Sequence, residues 1–375
     1  MKKALSIYIH IPFCVQKCAY CDFLSAPATL EVQKQYLHML IQEIRKKAAD
    51  CAEEYIVKTI FIGGGTPTSV PADYLCQVLK MVQECFEVEA DAEISMECNP
   101  GTANKESLRK YRDAGVNRLS IGLQATQDSL LRKLGRIHTY GQFLETYHGA
   151  REVGFDNINI DLMSALPGQN FADYEETLRK VLALKPEHIS AYSLIVEEGT
   201  PFYDMELDLP DEDTERAMYE RTEQLLREQG YYRYEISNYA LPGRECRHNQ
   251  VYWERGEYLG FGLGASSLLK QTEEVRTKNN SNLGTYLQSD FSYEEESILT
   301  RREAMEEFFF LGLRQMKGVS LIDFAEEYGE DTIEWFEEAI VRNMKDGLLV
   351  QDGGWLRLTK KGIDVSNFVF ERFLE

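Results

Sequence analysis

Three of the chain's eight cysteines stand together near its start: Cys14, Cys18 and Cys21, in "FCVQKCAYCDF", spaced C-x3-C-x2-C. Outside an oxidising compartment, grouped thiols point to metal or catalytic chemistry rather than to disulfides. Three thiolates can hold three irons of a [4Fe–4S] cubane and leave the fourth iron open to a small molecule. A structural zinc site needs a fourth ligand, which only His10 or the distant Cys246 could supply. Two residues past Cys21, where a fourth clustered cysteine would fall, stands Phe23. Cys51, Cys76, Cys85, Cys98 and Cys246 are scattered and read as small buried hydrophobes.

Such a thiol loop needs a scaffold, and the first half of the chain supplies one. Strand-like runs at 5–11, 58–63, 92–98, 117–124, 157–163 and 188–195 alternate with amphipathic segments, among them 71–86, 140–153 and 173–184. In "YLHMLIQEIRKKA", Leu37, Leu40, Ile41, Ile44 and Ala48 share one helical face. Six strand–helix units imply parallel strands joined by right-handed crossovers. Eight would close a full barrel, so the expectation is a partial (β/α)6 barrel of the α/β class, with a doubly wound open sheet as the alternative. Polar and glycine features gather at the carboxyl ends of these strands: the cysteine loop, "GGGTPT" at 63–68, Glu97, Gln124 and Asp161. In parallel α/β folds that edge is where sites are built.

The expected division is 1–235 for the barrel, 236–297 for an extension carrying "HNQVYW" and a glycine-rich stretch, and 298–375 for a small terminal domain. That domain reads as helices over 303–316, 320–328 and 331–346, a hairpin turning at Asp352-Gly353-Gly354, and a helix over 360–373. The outline is winged-helix-like. It carries sixteen Asp/Glu against ten Lys/Arg over 301–375, which argues against reading DNA.

The whole chain has a formal net charge of −21, which disfavours nucleic acid and anionic membrane surfaces as partners. The N-terminal "MKKALSIYIHIPFC" has two lysines and an apolar run, but His10 and Pro12 interrupt it and no A-x-A site follows. No apolar run reaches the roughly 18–20 residues of a membrane span. A cytoplasmic location is expected.

C-x3-C-x2-C with Tyr20 before its last cysteine resembles the signature of radical S-adenosylmethionine (SAM) proteins. The resemblance implies that Cys14, Cys18 and Cys21 hold the cluster, with Tyr20 beside it. It also implies that SAM chelates the open iron and is cleaved by electron transfer to a 5′-deoxyadenosyl radical. "YIHIPFC", "GGGTPT", "ECNP", "RLSIGLQ" and "DLMSALPGQ" together resemble the oxygen-independent coproporphyrinogen III oxidase family over nearly the whole chain. On that resemblance the SAM contacts fall on Tyr8, Gly64, Gly65, Thr66, Glu97, Gln124, Arg136 and Asp161. The oxidase can hold a second SAM, and Gln124, Arg136 and Asp161 fall on that side of the pattern.

The oxidase pattern has a fourth cysteine where Phe23 stands. "CDF", with H-N-x-x-Y-W, instead resembles the sister group of heme chaperones. That resemblance implies heme as a ligand and an acceptor protein as recipient, and the acidic surface would favour basic loops of membrane-protein clients. His248 could ligate heme iron, and Tyr252 and Trp253 offer flat apolar surface to a porphyrin. Cys246 is a conceivable second ligand or attachment point; no C-x-x-C-H motif is present for ordinary c-type attachment. A packed structural histidine is the competing reading for His248. Radical machinery is expected, oxidase activity is not, and no residue is assigned a catalytic role.

Overall fold

The computed structural model describes residues 2–374. Six parallel strands form its centre: β1 (Lys3–Ile11), β2 (Tyr55–Gly64), β3 (Glu87–Cys98), β4 (Arg118–Gln124), β5 (Ile158–Ser164) and β6 (His188–Ser193). Helices pack outside them, among them Leu30–Cys51, Ala72–Cys85, Tyr140–Glu152 and Phe171–Leu184. Thr139 and Asn170 begin the last two with reciprocal capping boxes, which satisfy amide groups that a helix start otherwise leaves bare. The expected partial barrel is borne out.

The sheet extends further than the six predicted strands. Beyond β6 come β7 (Tyr232–Arg233) and β8 (Asn238–Ala240), with β8 pairing antiparallel to β6. On the other edge, β9 (Tyr258–Phe261) runs parallel to β1, followed by antiparallel β10 (Ser266–Lys270), β11 (Glu274–Asn279) and β12 (Tyr293–Ile298). One twelve-stranded sheet therefore runs β12-β11-β10-β9-β1-β2-β3-β4-β5-β6-β8-β7. The 236–297 segment supplies strands to both of its edges.

Side chains alternate across a strand, so each strand has two faces. The faces turned to the helices carry Ile7 and Ile9, Ile60 and Ile62, Leu119 and Ile121, and Ile158 and Ile160, all buried. The opposite faces read Ser6-Tyr8-His10, Thr59-Phe61-Gly63, Glu93-Ser95-Glu97, Arg118-Ser120-Gly122-Gln124, Asn159-Asp161 and His188-Ser190-Tyr192. Register sets these polar faces against one another: Ser6 pairs with Thr59, Thr59 with Glu93, Ser120 with Asn159, and Asn159 with His188. An ordinary closed barrel fills its interior with branched aliphatics. Here the interior is polar and encloses a cavity of about 470 Å³.

The C-terminal residues build a second core around Phe309, Phe324, Phe336 and Phe373. Helices Arg301–Gly312, Leu321–Tyr328 and Glu337–Lys345 precede the hairpin of β14 (Leu349–Asp352) and β15 (Trp355–Leu358), to whose second strand the short β13 (Val319–Ser320) adds. Gly353 and Gly354 both take positive φ, as a tight hairpin turn requires. Two expectations need correcting. The helix predicted over 331–346 opens as a 3-10 turn, Glu330–Phe336. The one predicted over 360–373 is two short helices, Lys360–Asp364 and Ser366–Glu371, broken where Val365 leaves helical geometry at φ −125°, ψ 36°. Arg255 ties this domain to the barrel, bonding Glu307 at 3.0 Å, Tyr328 at 2.6 Å and Glu274 at 2.5 Å. Among the described residues no helix is long and apolar enough to cross a membrane.

Candidate functional site

The cavity opens at the carboxyl edge of the strands, where the cysteine loop follows β1. Backbone bonds hold this loop in place. Cys14 N donates to Ala26 O (3.3 Å), Ala19 N to Leu134 O (3.0 Å), and Cys21 N to Cys18 O (3.2 Å), while Phe202 N reaches back to Ala19 O (3.0 Å). Phe13 is buried beneath it, and all three cysteines line the cavity. Burial pushes the Cys14 and Cys21 thiols up. Tyr20 packs against the patch that includes Leu134 and Phe202, and it too faces the cavity. Phe23 sits at the cavity rim, 61% exposed.

The glycine loop closes against the cysteine loop. Gly65 N donates to Ile11 O (2.8 Å) and Thr66 N to Phe13 O (2.6 Å). A Cβ on Gly65 would lie 2.5 Å from the Phe13 carbonyl oxygen, so no other residue fits without moving that backbone. Gly64 takes φ +112° against the His10 ring, and its N–H donates to Glu97 (3.0 Å). His10 is held on both sides, by the Tyr8 hydroxyl (2.9 Å) and Leu24 O (2.8 Å). Burial, then the nearby Asp161 carboxylate, raise Glu97 to about 8. Asp161 is raised by burial and accepts from Asn159 (2.7 Å).

Arg136 is no surface charge. Its Nη2 donates to Gly122 O (2.5 Å) and Asn99 Oδ1 (3.0 Å), and Nη1 lies 3.9 Å from Cys18 Sγ. Gln124 holds a positive φ of 70° at the end of β4, with Tyr192 donating to its Oε1 at 3.4 Å. Tyr8, Gly64, Gly65, Thr66, Glu97, Gln124, Arg136 and Asp161 all line the one cavity. Sequence reasoning missed Asn99, whose Nδ2 also donates to Thr66 Oγ1 (2.7 Å) and so joins the glycine loop to Arg136. It lies within "ECNP", so the signal was present. Tyr192, Ser190 and Asn159 were missed as well; only the polar alternation of β5 and β6 could have found them.

His248 lines the same cavity as the cysteines. It lies in the helix Arg247–Trp253, 1% exposed, low in the barrel wall. Its Nδ1 bonds Thr59 Oγ1 (2.8 Å), its Nε2 bonds the Tyr252 hydroxyl (2.9 Å), and its ring stacks on Phe61 at 5.3 Å. Burial, aided by the Arg118 charge, lowers its pKa to about 3, so it is neutral. Both ring nitrogens are engaged, and the imidazole is not free to take an iron as it stands. Cys246 is fully buried, its thiol pushed up to about 12 by burial, and it points at Glu93 (3.5 Å); that enclosure does not suit a ligand or attachment point. Glu93 also accepts from the amides of Arg247 (2.9 Å) and His248 (3.2 Å), capping that helix from inside the barrel. Trp253 lies outside the cavity, half-buried with its Nε1 enclosed and its ring under the Arg314 guanidinium at 5.4 Å.

Three thiols face one open cavity, yet among the described residues no three His, Cys, Asp or Glu side chains converge enough to hold a single ion. That donor set fits a cluster whose thiolates bind separate irons, and it does not fit a closed zinc site. The radical SAM superfamily profile matches residues 8–181, and the HemN C-terminal domain profile matches 299–365. A partial barrel with an open three-cysteine loop is thus that of a radical SAM protein, a class that carries a [4Fe–4S] cluster and uses SAM.

Full-length relatives narrow the class. The chain is 39% identical to the heme chaperone HemW of Bacillus subtilis, over 98% of this chain and 99% of the relative. It is 36% identical to the HemW of Escherichia coli, over 99% and 98%. It belongs to the HemW family. Among solved structures, the radical SAM enzyme coproporphyrinogen III oxidase (HemN) of Escherichia coli superposes with a TM-score of 0.88 at 25% identity, covering 99% of this chain and 90% of that one.

Proposed function

We propose that this protein is a cytoplasmic heme chaperone that binds heme and passes it to an acceptor apoprotein, and that its radical SAM centre serves that transfer. One observation carries the choice over the oxidase: the cysteine loop presents three thiols to the cavity and Phe23 at its rim, where the oxidase pattern has a cysteine. Family membership points the same way.

Cys14, Cys18 and Cys21 would hold the cluster. Tyr8, Gly64, Gly65, Thr66, Glu97, Gln124, Arg136 and Asp161 would surround SAM, with Tyr20 beside the cluster. When bound, the cluster supplies the electron for reductive cleavage of SAM. Gly64 and Gly65 let backbone approach the ligand. Arg136 sets a fixed positive charge 3.9 Å from the Cys18 sulfur. Glu97, protonated at neutral pH, would return to carboxylate on meeting a cationic ligand. As a heme ligand, His248 must first release Tyr252 or Thr59, so heme capture by that residue entails opening the barrel floor. The net charge of −21 suits a basic recipient surface, including the basic loops of membrane-protein clients.

The test pairs two assays on anaerobically reconstituted protein. Heme-loaded protein mixed with an apo heme protein should hand over its heme, read as a shift in Soret absorbance, while coproporphyrinogen III with SAM should stay unconverted. Protoporphyrinogen formation without heme transfer would select the oxidase. Serine at Cys14, Cys18 or Cys21 should abolish iron loading, whereas Cys98→Ser should leave it intact.

A further inference from the structure

At the bottom of the cavity lies a buried cation that the SAM contacts do not use. Arg118 opens β4, opposite Ser95, 2% exposed, and lines the same cavity as the cysteines. Its Nε is enclosed with no acceptor, and among the described residues no oxygen accepts a hydrogen bond from its guanidinium. Two carboxylates lie in the region, and each is satisfied elsewhere. Glu93 accepts from Ser95 (3.2 Å), Cys246 and the amides of Arg247 and His248. Asp161 accepts from Asn159 and Ser120.

An arginine fork left unpaired inside a protein is costly, because a guanidinium stripped of water needs acceptors. It also matches a carboxylate bidentately. Glu93 and Asp161 would repel a dianion, which favours a single negative charge over a phosphate. Asn249, next to His248, faces the same cavity and offers a neutral donor.

We propose that Arg118 receives a carboxylate of a ligand lodged in the barrel. Two sources share that chemistry: the propionate arm of a tetrapyrrole and the α-carboxylate of an amino-acid ligand that does not chelate the cluster iron, such as a second SAM. The first source rests on the heme reading above; the second does not.

The experiment measures dissociation constants on the full reconstituted chain for two ligand pairs: heme against its dimethyl ester, and SAM against decarboxylated SAM. Wild type is compared with Arg118→Gln and Arg118→Lys, each checked for fold by circular dichroism and for iron content. In one pair, the wild-type preference for the free acid should exceed that of Arg118→Gln by about 10- to 100-fold, the usual range for a charge-assisted hydrogen bond. Chelation of SAM by the cluster iron contributes equally to both proteins and cancels from that ratio. Arg118→Lys keeps the charge of the floor, and so its fold, but loses the fork and should retain only part of the preference. The pair that responds names the source. A preference unchanged in a folded variant, or absent from wild type in both pairs, overturns the assignment. Failure of wild type to bind heme at all, with an Arg118-dependent preference in the SAM pair, overturns the heme reading and leaves the Arg118 assignment standing.

Discussion

Replacing His248 with alanine distinguishes an imidazole that closes the barrel floor from one that waits for a ligand. The ring is buried and bonded at both nitrogens, to Thr59 and Tyr252, and stacks on Phe61. Each hydrogen bond contributes about 1 kcal/mol net, and the stacking about another 1 kcal/mol. Thr59 keeps its bond to Ser6 (2.7 Å), but the Tyr252 hydroxyl loses its partner, a further penalty of about 1–3 kcal/mol. The expected loss is therefore about 4–6 kcal/mol, read by urea unfolding followed by circular dichroism. A double-mutant cycle with Tyr252→Phe should return a coupling of about 0.5–3 kcal/mol, since the two residues share a bond. A loss below about 1 kcal/mol with no coupling would show that the imidazole does not hold the floor, and the argument against its being free for iron would collapse.

Acidification should destabilise the fold. Burial first, then Arg136 for His138 and Arg118 for His188 and His248, lower these three histidines, to about 3 in His138 and His248. The unfolded chain binds protons from about pH 6.5 downward and the folded one does not, so each costs about 1.4 kcal/mol per pH unit below that point. Glu97 and Asp161, raised mainly by burial, act oppositely. They stabilise at low pH and lose that contribution as pH rises through their folded values. His10 is lowered by burial as well and Glu235 is raised by it, so four histidines oppose three carboxyls; stability should fall from pH 6.5 to 5, and unfolding curves unchanged or more stable across that window would contradict that sign. Gly65→Ala forces a methyl into the Phe13 carbonyl, so iron per chain should fall and stability drop by about 1–3 kcal/mol. Arg255→Ala strips Glu274 of its buried partner and cuts the tie to the C-terminal domain. It should cost about 3–5 kcal/mol and expose the link near residue 299 to protease, with intact resistance speaking against the tie.

Much of the scaffold was readable from hydrophobic spacing, because each central strand alternates an aliphatic face with a polar one. Ile7 and Ile9 against Ser6 and Tyr8 look the same in sequence as in the sheet. The cysteine and glycine loops were readable too, since each is one short segment. What the sequence hid depends on distant segments meeting. Asn99 matters because Arg136 and Thr66 both reach it, and β9 to β12 extend the barrel only because β9 docks beside β1. "HNQVYW" displayed its residue types but not that Thr59 and Tyr252 would occupy both nitrogens of His248. Arg118 looked like an ordinary strand-leading charge, and only burial without a hydrogen-bond acceptor sets it apart.

The central claim is that this chain binds heme while carrying its cluster. Anaerobic titration of the reconstituted protein with heme, followed at the Soret band with iron content measured on the same sample, tests it most directly. Saturation at a fixed heme-to-chain ratio, with the cluster retained, is the predicted result. A Soret response that rises without saturating, in protein shown to hold its cluster, would contradict the account.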